Sequence, residues 1–267
     1  MFKILENFFA FLGRPVINLS SILDKIGVFT LFHIKLVPLY FTKPFRLKET
    51  FKQMENIGVN SSGVIILTAI FTGMVLAIQF YQGFHKFGAD AFMGYTIFIA
   101  ITRELGPVFA ALMVTSRAIS AMSAELGTMR VTEQIDAIDT LSVDSRRYLV
   151  VPRIIATTAS LPLLVILFDF VGNVSAYLVS VHILDVNSVS YIENINQYLT
   201  LTDITNSLIK ALVFGYLIAL IGTFTGYFTK GGARGVGIAT TTAVVVSSVA
   251  IFATNYLLSA LFLTLDW

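Results

Sequence analysis

The chain has 267 residues, 56% of them hydrophobic and 13% charged, with a net charge of +2 and no cysteine. A soluble globular domain is about a quarter charged, and the mean hydropathy here is +0.81, which excludes a soluble fold. The lack of cysteine excludes disulfides, thiolate metal sites and thiol nucleophiles.

At the N-terminus, Lys3, Glu6 and Arg14 interrupt the apolar run of MFKILENFFAFLGRP and no small-residue cleavage site follows, so no cleavable signal peptide is expected. Residues 1–56 hold eight of the 18 Lys and Arg and read as a cytoplasmic, interfacial amphipathic segment. Within it, residues 16–42 leave two readings open, a sixth span or a helix lying in the interface. Asp24, Lys25, His33 and Lys35 favour the second, because charge at mid-membrane is costly even on lenient insertion scales.

Residues 56–84, 211–229 and 235–265 contain no Asp, Glu, Lys or Arg, and a helix crossing a bilayer needs about 20 such residues. Five spans are predicted, near 58–82, 92–117, 153–181, 206–229 and 237–262. Lys and Arg number eight before the first span, one in 83–91, five in 117–153, none in 182–205, two in 230–236 and none after 262. Positive loops stay in the cytoplasm, so the N-terminus is expected inside, and residues 182–205 and the C-terminus outside.

Along the chain, Gln79 and Tyr81 fall at the outer end of the first span, with Phe87 just beyond. An interfacial aromatic belt accounts for Tyr81 and helix–helix hydrogen bonding for Gln79. In the second span, Arg103 and Glu104 have twelve uncharged residues on either side. Neighbours on a helix diverge and do not face each other, so the two are expected to meet different partners or a wet cavity. Gly106-Pro107 follows at once and is expected to kink the helix.

Residues 124–153, AELGTMRVTEQIDAIDTLSVDSRRYLVVPR, hold nine of the 34 charged residues. Val131, Ile135, Ile138 and Leu141 recur at helical spacing. Glu133, Gln134, Asp136 and Asp139 take the other faces, and Asp144 is placed to cap the turn before Arg146 and Arg147. A helix bound to anionic lipid carries Lys and Arg. This one is acidic after Arg130, which suits docking to another protein.

Asp169 lies within the third span, and Gly222 and Gly226 form a GxxxG in the fourth, a surface for close helix approach within or between subunits. The cluster KGGARGVG at 230–237 lacks the G-x-x-x-x-G-K-[ST] of a phosphate loop and reads as a cytoplasmic turn. Asn255 falls in the last span. His33, His85 and His182 have no metal-ligand spacing.

The run ELGTMRVTEQIDAI, preceded by RELGPVFAALMVTSRAISAMSAE, resembles the signature of the MlaE-type permeases, the membrane subunits of ABC transporters that move phospholipid with an MCE-domain protein. The tail GGARGVGIATTTAVVVSSVAIFATNYLLSALF is similar to that family's last span. The resemblance implies an all-α polytopic membrane protein: an N-terminal interfacial helix over 1–56, then a permease domain over 57–267. That domain has five transmembrane helices, with a cytoplasmic coupling helix, about 125–142, between the second and third.

It further implies that Glu125, Gly127, Thr128, Met129, Arg130, Thr132, Glu133, Gln134 and Asp136 meet an ATPase, and that Arg103 and Glu104, with Gln79, Tyr81 and Phe87, meet lipid or the MCE partner. Asn255 stands where the family often has an acid. The expected assembly is a homodimer in the inner membrane with a cytoplasmic ATPase that binds ATP and Mg. No cofactor or metal is expected in this chain, and nucleic acid is not an expected partner.

The rival is a secondary transporter or channel for an amphiphilic solute working without an ATPase. It would show repeats and several intramembrane charges, and no repeat is found. A membrane-embedded lipid enzyme would need paired carboxylates or histidine clusters. Only Glu104 and Asp169 read as mid-span acids, and neither has a His partner in sequence.

Overall fold

The structure, a computed structural model, describes residues 23–43 and 45–265. Lys3, Glu6, Arg14, the start of the 16–42 stretch and Trp267 lie outside the described residues. Every regular element is helical, with no strand among the described residues. They fall into two compact units, one ending at Phe45 and the other beginning at Arg46.

In the first unit, residues 23–36 are helical and run into a 3-10 turn, Val37–Tyr40, which carries Pro38. Leu23, Ile26, Leu31 and Ile34 are exposed, an apolar surface of the kind that beds a helix in a membrane interface.

The second unit comprises α1 (Leu47–Ile57), α2 (Ser62–Phe84), α3 (Asp90–Val131), α4 (Gln134–Thr140), α5 (Arg146–His182), α6 (Ser188–Tyr198), α7 (Leu201–Tyr227) and α8 (Gly232–Thr264). Five helical runs are long and apolar enough to cross a membrane: α1 continued into α2, then α3, α5, α7 and α8. The chain is a polytopic all-α membrane protein.

The helices outrun the predicted spans where polar sequence continues them. With 42 residues, α3 is about 63 Å long at 1.5 Å per residue, twice a hydrocarbon core of about 30 Å. Nothing breaks it before the Thr132–Glu133 turn, where Glu133 adopts a left-handed φ of 60°. The helix expected over 125–142 is therefore two pieces: the end of α3, then the short α4.

Packing places α5 between α2 and α7, while α7 also packs on α3 and α8. The most apolar windows of α3, α5 and α7 are 44–56% buried, against 22% for α2 and α8, so the first and last spans form the edges. The GxxxG works within the chain. A side chain at Gly222 would strike Ile119, and one at Gly226 would come within 2.8 Å of Ser123 O and Leu126 Cβ, so these glycines seat α7 against α3.

Candidate functional site

The sequence reading expected Arg103 and Glu104 to find different partners, and the structure provides two. α3 widens into a π turn over Ala100–Leu105 immediately before Gly106 and Pro107. Single π turns of this kind concentrate at functional sites. Proline has no N–H to offer the carbonyl four residues back, which is that of Arg103. Lys210 Nζ of α7 donates to that oxygen instead, at 2.9 Å.

The same ammonium ion-pairs with Glu104 Oε1 at 2.8 Å and donates to Ser259 Oγ of α8 at 2.8 Å. Ser259 Oγ donates to Glu104 Oε1 at 3.0 Å, and Asn255 Nδ2 donates to Oε2 at 2.9 Å. Three helices thus converge on one carboxylate. The lysine side chain is sealed at 2% exposure, while that of Glu104 is 45% exposed. The network is closed behind and open in front, at a depth in the span where hydrocarbon offers a carboxylate nothing.

Arg103 turns to a different residue of α7, its Nε meeting Asp203 Oδ1 at 2.9 Å. The other oxygen of Asp203 closes the capping box of α7, accepting from Thr200 N at 2.9 Å and Thr200 Oγ1 at 2.7 Å. Asp203, Asn206 and Lys210 recur at i, i+3 and i+7 along α7, all buried, and form its polar seam. Asp169 of α5 borders this region, accepting from Ser207 Oγ at 3.2 Å. Its other carboxyl oxygen lies against Gly106, where a Cβ would strike it.

The remaining lipid-side candidates fall elsewhere. The partners of the Glu104 carboxylate come from α7 and α8, whereas Gln79 is exposed on α2. Tyr81 stacks on His85 with ring centroids 4.5 Å apart, and His85 in turn meets Asp90 at 2.9 Å. Phe87 is 85% exposed beyond the end of α2.

The nine coupling candidates divide between an inner and an outer group. Glu125 Oε2 meets Arg153 Nη2 at 2.9 Å; this nearly buried arginine also donates to Leu149 O at 3.0 Å. Gly127 lies under Thr229, with 3.0 Å between a Cβ placed there and its hydroxyl. Met129 packs against the core. Arg130 Nη1 reaches Asp136 Oδ1 at 2.7 Å and lies over the Tyr227 ring.

Thr128, Thr132, Glu133, Gln134 and Asp136 are exposed, and so is Glu125 despite its contact with Arg153. Beneath them Ile135 is fully buried and Ile138 packs on the core. Leu141, expected on the same apolar face, is 76% exposed because α4 ends at Thr140. Asp144 caps as expected, accepting from Arg146 N at 3.0 Å. Ser145 ties the segment to α7 through the Tyr227 hydroxyl at 2.8 Å.

Residues 50–261 match the family model described as Permease MlaE. The chain belongs to the MlaE permease family. A Rickettsia bellii protein named as an ABC transporter permease is 44% identical over 94% of this chain and 96% of its own length. A Synechocystis relative named in the same way is 43% identical over 79% of this chain and 81% of its own. The intermembrane phospholipid transport system permease protein MlaE of Haemophilus influenzae is 35% identical over 96% of this chain and 97% of its own. This permease is accordingly the membrane subunit of an ABC transporter, whose ATP hydrolysis belongs to a separate subunit.

The sequence reading missed Lys210 and Asp203. Lys210 sits immediately before the charge-free run 211–229, and Asp203 falls within 182–205, the stretch expected outside. The signal was T-x-x-D at Thr200–Asp203, a helix start that carries α7 on through Lys210 and aligns the two charges seven residues apart.

Proposed function

We propose that this permease is the substrate pathway of an ATP-driven phospholipid transporter, working as a homodimer in the inner membrane with an MCE-domain protein on its outer side. The N-terminus is cytoplasmic and the C-terminus outside, as the Lys and Arg distribution favours. The observation that carries the reading is Glu104, half-exposed within a span and backed by Lys210, Asn255 and Ser259. An open carboxylate at that depth needs water, a polar headgroup or a second copy before it, and an amphiphile crossing a bilayer needs such a foothold beside apolar walls.

The outward group of Thr128, Thr132, Glu133, Gln134 and Asp136 is the docking face for the cytoplasmic ATPase, which binds ATP and Mg. Its closure pushes α4 and the end of α3. Glu125, Gly127, Met129 and Arg130 pass the displacement inward through Arg153 of α5, Tyr227 of α7 and Thr229 just beyond it. That route reaches the same helices, α3 and α7, that carry Glu104 and Lys210.

The Haemophilus influenzae relative is named for intermembrane phospholipid transport, and the open network here suits the same cargo. The reading is tested by placing a photoreactive amino acid at Asn255 and irradiating the membrane-embedded complex. Covalent phospholipid at Asn255, displaced when the ATPase turns over, supports the cavity. A site that labels only with the second copy of the chain, never with lipid, overturns it.

A further inference from the structure

A groove of about 550 Å³, bordering the polar seam at Asp169, lies between α3, α5 and α7 beneath α6, at the end of the bundle opposite α4. Its walls are apolar: Phe98 of α3, Phe170 and Val174 of α5, and Ile192 and Ile195 of α6. The polar groups at its deep end are engaged except for Asp169 Oδ1, which is buried without a hydrogen-bond partner. Asn173 Nδ2 donates to Asp169 O at 2.8 Å, and Ser207 holds Asp169 Oδ2.

The roof is firmly seated. Gly94 of α3 lies under Tyr191 of α6, where a Cβ would run into its backbone and ring. Tyr191 in turn packs edge-on against Tyr177, centroids 5.5 Å apart. Phe170, Val174 and Ile192 nevertheless stay 67%, 42% and 45% exposed.

We propose that this groove holds one acyl chain of a zwitterionic phospholipid from the leaflet opposite α4. A groove between membrane-spanning helices, open sideways at bilayer depth, has hydrocarbon as its solvent, and a volume of several hundred Å³ is that of a ligand site. The least-covered spans, α2 and α8, are where a second copy has most to bury, which leaves the α5–α7 side to lipid. Residues 182–202, around the roof, contain Asp185 and Glu193 but no Lys or Arg. Such a rim favours a headgroup bearing an ammonium over an anionic one. The site is independent of the transport reading, since it requires only that the chain spans the bilayer.

The test uses the full chain in nanodiscs of phosphatidylethanolamine carrying a photoreactive diazirine on one acyl chain, with cross-links mapped by mass spectrometry. Cross-links should concentrate on α5 and α6 around Phe170, Val174 and Ile192. Val174→Trp, or independently Ile192→Trp, should lower them about fivefold, the weight of one or two buried methylenes. Labelling of Leu163 on α5 and Leu212 on α7, both exposed and outside the groove, should stay unchanged. Even labelling along α5 and α7 that neither tryptophan alters means annular lipid only and overturns the site. Equal yields in phosphatidylglycerol discs overturn the headgroup assignment.

Discussion

The Glu104–Lys210 pair is unequal, and its two halves should fail differently. Glu104→Leu leaves the Lys210 ammonium, 2% exposed, with only the Arg103 carbonyl and Ser259 for partners. An uncompensated buried charge costs about 3–5 kcal/mol. Lys210→Met leaves a carboxylate that is 45% exposed and keeps Asn255 and Ser259. What is lost there is chiefly the Arg103 carbonyl's partner and part of one charge-assisted bond, roughly 1–3 kcal/mol. The double variant Glu104→Leu/Lys210→Met removes both charges and should recover most of the larger loss. The assay is the thermal midpoint of the solubilised chain, followed by size-exclusion chromatography after heating. The reasoning is refuted if Lys210→Met is as damaging as Glu104→Leu, or if the double variant is no better than the worse single.

Three further outcomes are expected. Glu133→Lys should leave the permease inserted but weaken capture of its ATPase in a pull-down, since reversing a charge at a complementary contact costs several kcal/mol in unfavourable cases; wild-type capture would remove α4 from the docking face. Gly222→Leu should cost about 1–3 kcal/mol by overpacking against Ile119, seen as a lower thermal midpoint, whereas a change confined to dimerisation would place this GxxxG between subunits. Burial pushes the Tyr191 hydroxyl up to about 12 from an ordinary value of 10.0. The neutral form is therefore favoured in the fold, and stability should be complete below pH 10 and decline toward pH 12, by at most about 3 kcal/mol. Comparing thermal midpoints of wild type and Tyr191→Phe across that window isolates the effect, and parallel curves would contradict it.

What the sequence made legible follows from which forces act locally. The five spans were readable because charge exclusion from hydrocarbon acts on contiguous residues, and 56–84, 211–229 and 235–265 are free of Asp, Glu, Lys and Arg. Arg103 and Glu104 stood out for the same reason, and their divergence on the helix correctly implied separate partners. The identity of those partners was not local. Asp203 and Lys210 lie about a hundred residues away, and only the packing of α7 on α3 brings them together. The break at Glu133 was likewise hidden, since a left-handed φ at a glutamate carries no sequence signature comparable to glycine or proline. Conversely, the Asp144 cap was readable, because a cap is satisfied by residues two and three positions away.

The central claim is that the open carboxylate of Glu104 and its supporting network form the foothold for transported phospholipid. The most direct measurement is ATP-driven transfer of labelled phospholipid by the reconstituted transporter, comparing wild type with Glu104→Leu/Lys210→Met, after confirming that the double variant is folded and retains its ATPase. The account predicts that ATP hydrolysis continues while lipid transfer falls to the level seen without ATP. Wild-type transfer by this folded, charge-free variant would contradict it.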